Sequence, residues 1–123
     1  MSTTNNRIKA RLKRKIGIRK KIFGTAARPR VTVFRSHNNI YAQVVDDEAR
    51  TTLAACDGRK IAAVEVPEGL GGKCAKAYLV GRTLADQAKD KGISAMVFDR
   101  NGYLYHGRVA ALARGLRDGG IQV

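Results

Sequence analysis

The chain has 123 residues, 44% of them hydrophobic, and a formal charge of +14 at pH 7. That length supports one domain with one modest core and leaves no room for a second. No run approaches about eighteen apolar residues, which excludes a membrane-spanning helix, and the start lacks the apolar core of a secretory signal.

The charge is lopsided. Residues 1 to 35 hold twelve of the 24 Lys and Arg and no Asp or Glu. The densest stretch, RIKARLKRKIGIRKK at 7 to 21, has nine cations in fifteen positions. A one-ended positive block concentrates polyanions and releases their counterions on contact, so a nucleic acid or an anionic membrane is the expected partner.

Residues 7 to 23 set Ile8, Leu12 and Ile16 four apart, an apolar helical stripe that Gly17 should interrupt. Arg7 with Arg11, Lys9 with Lys13 and Arg11 with Lys15 are like-charge neighbours at helical spacing. Each costs about 0.2 to 0.5 kcal/mol with no acid to offset it, so the segment alone is expected to fray. GTAARPR, 24 to 30, is a connector, since Arg28 before Pro29 is steered away from helix. This divides the chain into a basic N-terminal extension, 1–27, and a globular domain, 28–123.

VTVFRS (31 to 36) and IYAQVV (40 to 45) are β-rich runs around HNN and predict an antiparallel hairpin. DDEAR forms the next turn, where Asp46, Asp47 and Glu48 are expected to be solvated, and TTLAAC (51 to 56) gives a third strand. Residues 57 to 72 read as loop, with a short segment at Ile61 to Val66 as the alternative. From Lys73 to Lys91, Cys74, Ala77, Tyr78, Gly81, Leu84, Ala85 and Ala88 recur with helical period, and Lys91 and Gly92 suit the C-terminal cap. ISAMVF, 93 to 98, predicts an interior strand that a right-handed crossover places parallel to the first strand. After the DRNG turn, Val109, Leu112, Ala113 and Leu116 line a last helix ending at Gly119 and Gly120. The fold class is therefore α/β: a three-strand antiparallel meander, one parallel strand and two main helices.

Motifs for catalysis fail in detail. GLGGK at 69 to 73 has Pro67 and Cys74 where a P-loop needs glycine and a hydroxyl, leaving a helix-terminal anion site or a plain loop. Asp46, Asp47 and Glu48 could serve a metal-dependent nuclease only if they converged on a cation. His106 has no nucleophile with a plausible partner. Cys56 and Cys74, the two cysteines, form no CxxC pair and, with His37 and His106, no ligand spacing, so reduced structural thiols are expected. No enzyme activity, cofactor or metal is predicted.

Two binding clusters are stronger. Arg35, Ser36, His37, Asn38, Asn39 and Tyr41 gather guanidinium, amide and aromatic groups suited to phosphates, base edges and base faces. Tyr103, Tyr105, His106 and Arg108 form a second cluster, adjacent to the first if the fourth strand lies beside the first. For the tyrosines, core packing with a tethered hydroxyl is the alternative reading.

RPRVTVFRSHNNIYAQVVDD and VFDRNGYLYHGRVAALARGLRDGGI resemble the two signature stretches of the bacterial ribosomal large-subunit protein eighteen family, small 5S rRNA-binding proteins. The resemblance covers nearly the whole chain, including the basic leader, the connector and AYLVGRTLADQAKDKGI. It implies a ribonuclease-H-like α/β domain without catalytic carboxylates, acting in the cytoplasmic ribosome. It also implies a role in attaching 5S rRNA to 23S rRNA in the central protuberance, beside large-subunit protein five, with no membrane or small-molecule substrate.

Carried over residue by residue, the resemblance places RNA contacts on Arg7, Lys9, Arg11, Lys13, Arg14, Lys15, Arg19, Lys20 and Lys21 of the leader. It places others on Arg28 and Arg30, on Arg35, Ser36, His37, Asn38, Asn39 and Tyr41, and on Tyr103, Tyr105, His106, Gly107 and Arg108. Where the family usually ends on an aromatic residue, this chain ends GGIQV. Three rivals stand beside this reading: a mitochondrial transit peptide on an unrelated domain, a membrane-surface module and a nuclease. An intact initiator end on the ribosome, liposome flotation and metal-dependent RNA cleavage, respectively, separate them.

Overall fold

The computed structural model describes residues 3–59 and 66–123. In chain order it forms α1 (Thr3–Arg19), β1 (Arg30–Arg35), β2 (Ile40–Asp46), β3 (Thr51–Asp57), α2 (Gly72–Asp90), β4 (Val97–Asp99) and α3 (Arg108–Asp118). The four strands make one sheet ordered β3-β2-β1-β4. β1 runs antiparallel to β2, with Val33 opposite Ala42, and parallel to β4, with Val31 opposite Phe98. The expected three-strand meander and the parallel fourth strand are thus both present, and the three meander strands begin and end within a residue of expectation.

Period-two alternation assigns the faces. Val31 and Val33 of β1 and Ile40, Ala42 and Val44 of β2 are buried on the inner face, which α2 and α3 cover. Tyr41, Gln43 and Val45 alternate onto the outer face. Helix α2 buries Ala77, Tyr78, Val80, Gly81, Leu84, Ala85 and Ala88, and α3 buries Val109, Leu112, Ala113 and Leu116. The two helices cross at Gly81 and Gly115, where a Cβ on either glycine would collide with the other helix's backbone. Tyr78 Oη donates to Asp118 at 2.8 Å, closing one end of the crossing.

Three expectations need correction. Helix α1 runs through Gly17 to Arg19 instead of breaking there. Gly17 has open space around it, so its presence costs helix propensity, about 1 kcal/mol, without forcing a bend.

The fourth strand is Val97–Asp99, three residues instead of 93–98. Ile93 closes a Schellman cap on α2: its N–H bonds Ala88 O and the Gly92 N–H bonds Lys89 O, with Gly92 at φ +77°. Ser94 to Met96 then exchange backbone bonds with Gln122 and not with β1. The apolar run thus divides between a helix cap and a second pairing.

In the acidic turn Glu48 is exposed as expected, but Asp46 and Asp47 are not solvated. Asp46 is buried, with its carboxylate accepting the Glu48 and Ala49 N–H groups, and Asp47 is drawn into an ion network described below. Most of the alternative segment at Ile61 to Val66 lies outside the described residues.

Candidate nucleic-acid interface

Because β4 lies beside β1, the β1–β2 hairpin and the β4–α3 loop are neighbours. The hairpin turn is tight: Ser36 N–H bonds Asn39 O at 2.9 Å and Asn39 N–H bonds Ser36 Oγ at 3.2 Å, leaving His37 and Asn38 exposed at the tip. Across the gap, Arg108 Nη1 donates to Ser36 O at 2.8 Å. Tyr103 Oη accepts from the Arg35 N–H and donates to the Arg35 carbonyl, both at 3.3 Å, extending the edge of β1 with a side chain. The two sequence clusters therefore form one surface.

The β4–α3 loop that carries the second cluster is fixed from within. Asn101 is buried in the left-handed region, φ +52°, and its Nδ2 donates to Val33 O at 3.0 Å. Gly102 follows at φ +77°, where a Cβ would run into the backbone of α1. That close approach lets Arg14 Nε donate to Gly102 O at 2.8 Å. Arg11 lies over the Tyr103 ring, 4.1 Å from its centroid, and Arg35 lies over the same ring at 4.9 Å. Such cation–π contacts contribute from about 0.5 to 2 kcal/mol as they lose water.

Two clefts flank this stack. One of about 380 Å³ is lined by Arg11, Phe34, Arg35, Ser36, Asn39, Ile40, Tyr41 and Tyr103. The other, about 420 Å³, is lined by Arg7, Ala10, Arg11, Arg14, Arg35, Tyr103 and Leu104. No carboxylate lines either cleft among the described residues. In the first, Phe34 and Tyr41 sit side by side on the outer sheet face with ring centroids 6.0 Å apart. Aromatic faces of this kind stack bases at about 1 to 3 kcal/mol each, while guanidiniums hold phosphate oxygens in pairs.

The other predicted residues divide by environment. Arg7, Lys9, Lys13, Lys20 and Lys21 are exposed on or just after α1, and Lys15 is half-buried. Arg19 lies 3.5 Å from Asp47, and Arg28 is exposed with its Nε 3.5 Å from Met96 O. Tyr105 stands edge-on to Phe98 and accepts from Arg117 at 3.0 Å, while His106 and Gly107 are exposed. Tyr41 Oη accepts from Gln43 Nε2 at 2.8 Å.

Two predicted contacts are committed elsewhere. Asn39 Nδ2 donates to Asp57 at 2.8 Å, and that bond, with those from Arg59, holds the Asp57 carboxyl at about 2. Arg30 bridges two carboxylates, bonding Asp47 at 3.0 Å and Asp99 at 2.7 Å with a side chain only 13% exposed. Burial opposes its charge, but the bonds to Asp47 and Asp99 outweigh burial and raise its pKa above the ordinary arginine value. The same contact, with the Gly24 N–H, lowers Asp47 to about 2. Arg30 thus ties β1 to the β2–β3 turn through Asp47, which also holds the connector at Gly24, and to β4 through Asp99, and it turns no free guanidinium outward.

Phe34 and Leu104, which line the clefts, escaped the sequence reading. Alternation alone carried the signal for Phe34, since it follows Val31 and Val33 onto the opposite face of β1.

A cationic α/β domain whose acid-free clefts combine guanidinium and aromatic groups has the chemistry of a nucleic-acid-binding module. Comparison with known proteins narrows the class. Residues 5–123 match the family model described as ribosomal L18 of archaea, bacteria, mitochondria and chloroplast. The large ribosomal subunit protein uL18 of Nitratidesulfovibrio vulgaris is 52% identical over 122 residues, 99% of each chain. Those of Pelobacter propionicus and Clostridium novyi are each 48% identical, over 98% and 99% of both chains. The chain belongs to the ribosomal protein L18 family, whose members are structural proteins of the ribosome and not enzymes.

Proposed function

We propose that this protein is a constituent of the large subunit of a bacterial cytoplasmic ribosome that binds 5S rRNA and helps attach it to 23S rRNA in the central protuberance. Large-subunit protein five is its expected neighbour there. The observation that carries this reading is the junction of hairpin, β4–α3 loop and α1 into acid-free clefts lined by Arg7, Arg11, Arg14 and Arg35 with Phe34, Tyr41 and Tyr103.

The extension and the domain divide the work. The domain, from about residue 28, presents aromatic and polar groups in fixed positions and supplies discrimination. Helix α1 supplies affinity: it is already formed and held against the β4–α3 loop by Arg11 and Arg14, and RNA phosphates relieve the repulsion among its like-charged neighbours. Bound 5S rRNA should therefore raise the temperature at which the α1 helix melts, read as slower hydrogen exchange of its amides in the complex.

Competition between 5S rRNA and a tRNA for the full chain, repeated from low to moderately high salt, tests the reading. With about eight phosphates neutralised, log affinity falls against log salt with a slope near minus six to minus seven. The preference for 5S rRNA is expected to persist as salt rises. Equal binding of both RNAs, fading together, would leave only a non-specific cationic leader.

A further inference from the structure

Tyr103 occupies an unusual position for an RNA-contacting aromatic residue. Its hydroxyl is spent on the backbone N–H and carbonyl of Arg35, and its ring carries the guanidiniums of Arg11 and Arg35. Arg11 comes from α1 and Arg35 from the end of β1, so one ring spans the extension and the domain. Neither arginine has a carboxylate partner among the described residues. Arg11 Nε is enclosed without a hydrogen bond, and both side chains line both clefts.

Two cations held against one ring with no counter-charge repel each other, and an anion between or beside them removes that repulsion. We propose that Tyr103 is a positioning residue: it sets the spacing of the Arg11 and Arg35 guanidiniums so that together they clamp backbone phosphates, and it does not itself stack on a base. This rests on the RNA-binding reading above and assigns the ring an indirect part in it. The bases are left to Phe34 and Tyr41, whose rings carry no guanidinium among the described contacts. Gly102 supports the arrangement by letting α1 approach, with Arg14 on its carbonyl.

The test uses the full chain and transcribed 5S rRNA, with binding measured across a salt series. Tyr103→Leu removes the ring, Tyr103→Phe keeps it without the hydroxyl, and Arg11→Gln with Arg35→Gln removes the clamp while leaving Tyr103 in place. The double arginine variant is expected to lose about 25- to 60-fold in affinity at 0.1 M salt and about 1.4 to 1.8 from the magnitude of the log–log slope, as two phosphate contacts require. Tyr103→Leu should show the same change in slope and add nothing when combined with the double variant. Tyr103→Phe should remain within about threefold of the parent.

A Tyr103→Leu protein that loses affinity equally at all salts, with slope intact and its loss additive to that of the arginines, would instead place a base on the ring and overturn the proposal. An unchanged slope in the double arginine variant would overturn it too, even if Tyr103→Leu does not fold. Failure of the RNA-binding reading itself looks different, because the parent protein would then show no preference for 5S rRNA over tRNA.

Discussion

Gly81→Ala is expected to destabilise the domain by about 3 kcal/mol or more, although alanine is the better helix former by about 1 kcal/mol. The sign is decided by the crossing of α2 and α3. A methyl group at position 81 would sit inside van der Waals contact of the Leu112 carbonyl, and one at 115 inside that of the Tyr78 carbonyl. Backbone cannot swing aside as a flexible side chain does, so the helices must separate. Separation opens gaps around Leu84, Leu112 and Leu116, which are fully buried. Gly115→Ala should behave alike. Gly17→Ala is the control: nothing lies near that position, and there the propensity gain should appear alone as added helicity. Urea unfolding at constant m-value reads the difference. A Gly81→Ala protein as stable as its parent would mean that the crossing is wider than described.

Arg30→Gln is expected to cost about 3 to 5 kcal/mol, because it strands two carboxylates that the guanidinium now neutralises. Asp99 is 1% exposed and the Asp47 side chain 11%, so neither finds water easily. The effect has a pH signature. Asp47 titrates at about 2 in the folded chain against an ordinary value of 3.8, so its contribution is complete above about pH 4 and fades as pH falls toward 2. The gap in stability between parent and Arg30→Gln should therefore be widest near neutrality and narrow in acid. An equal gap at pH 7 and pH 3 would show that Arg30 stabilises by packing alone.

That network also marks where reading the sequence stops. Arg30 sits among cations in the chain, and its partners stand 17 and 69 positions away. The family resemblance therefore placed it among RNA contacts, and the local pattern of an acidic turn assigned Asp47 to solvent. The hairpin and α2 were legible because their signals are local: alternation around a polar turn, and small residues recurring every three or four positions. β4 was legible in its partner and direction but not in its length. The apolar run 93 to 96 satisfies a helix cap and a pairing with Gln122, and no periodicity separates those uses from a buried strand.

The candidate interface was legible as two clusters and as the adjacency that a parallel β4 would create. The part played by α1 as a cleft wall was not, because it depends on Gly102 admitting a helix from the other end of the chain. Phe34 was overlooked for a related reason. Its value comes from the neighbouring strand, which sets Tyr41 opposite it.

RNA is expected to lie along one continuous surface made by α1, the β1–β2 hairpin and the β4–α3 loop, with α2 and α3 turned to the core. Ultraviolet crosslinking of the full chain to 5S rRNA, with the crosslinked peptides identified by mass spectrometry, tests it most directly. Crosslinks are expected within residues 7 to 21, 34 to 41 and 103 to 108 together. A set confined to α2 and α3, around Lys73, Lys89 and Arg114, would place the RNA on the opposite face and rule this surface out.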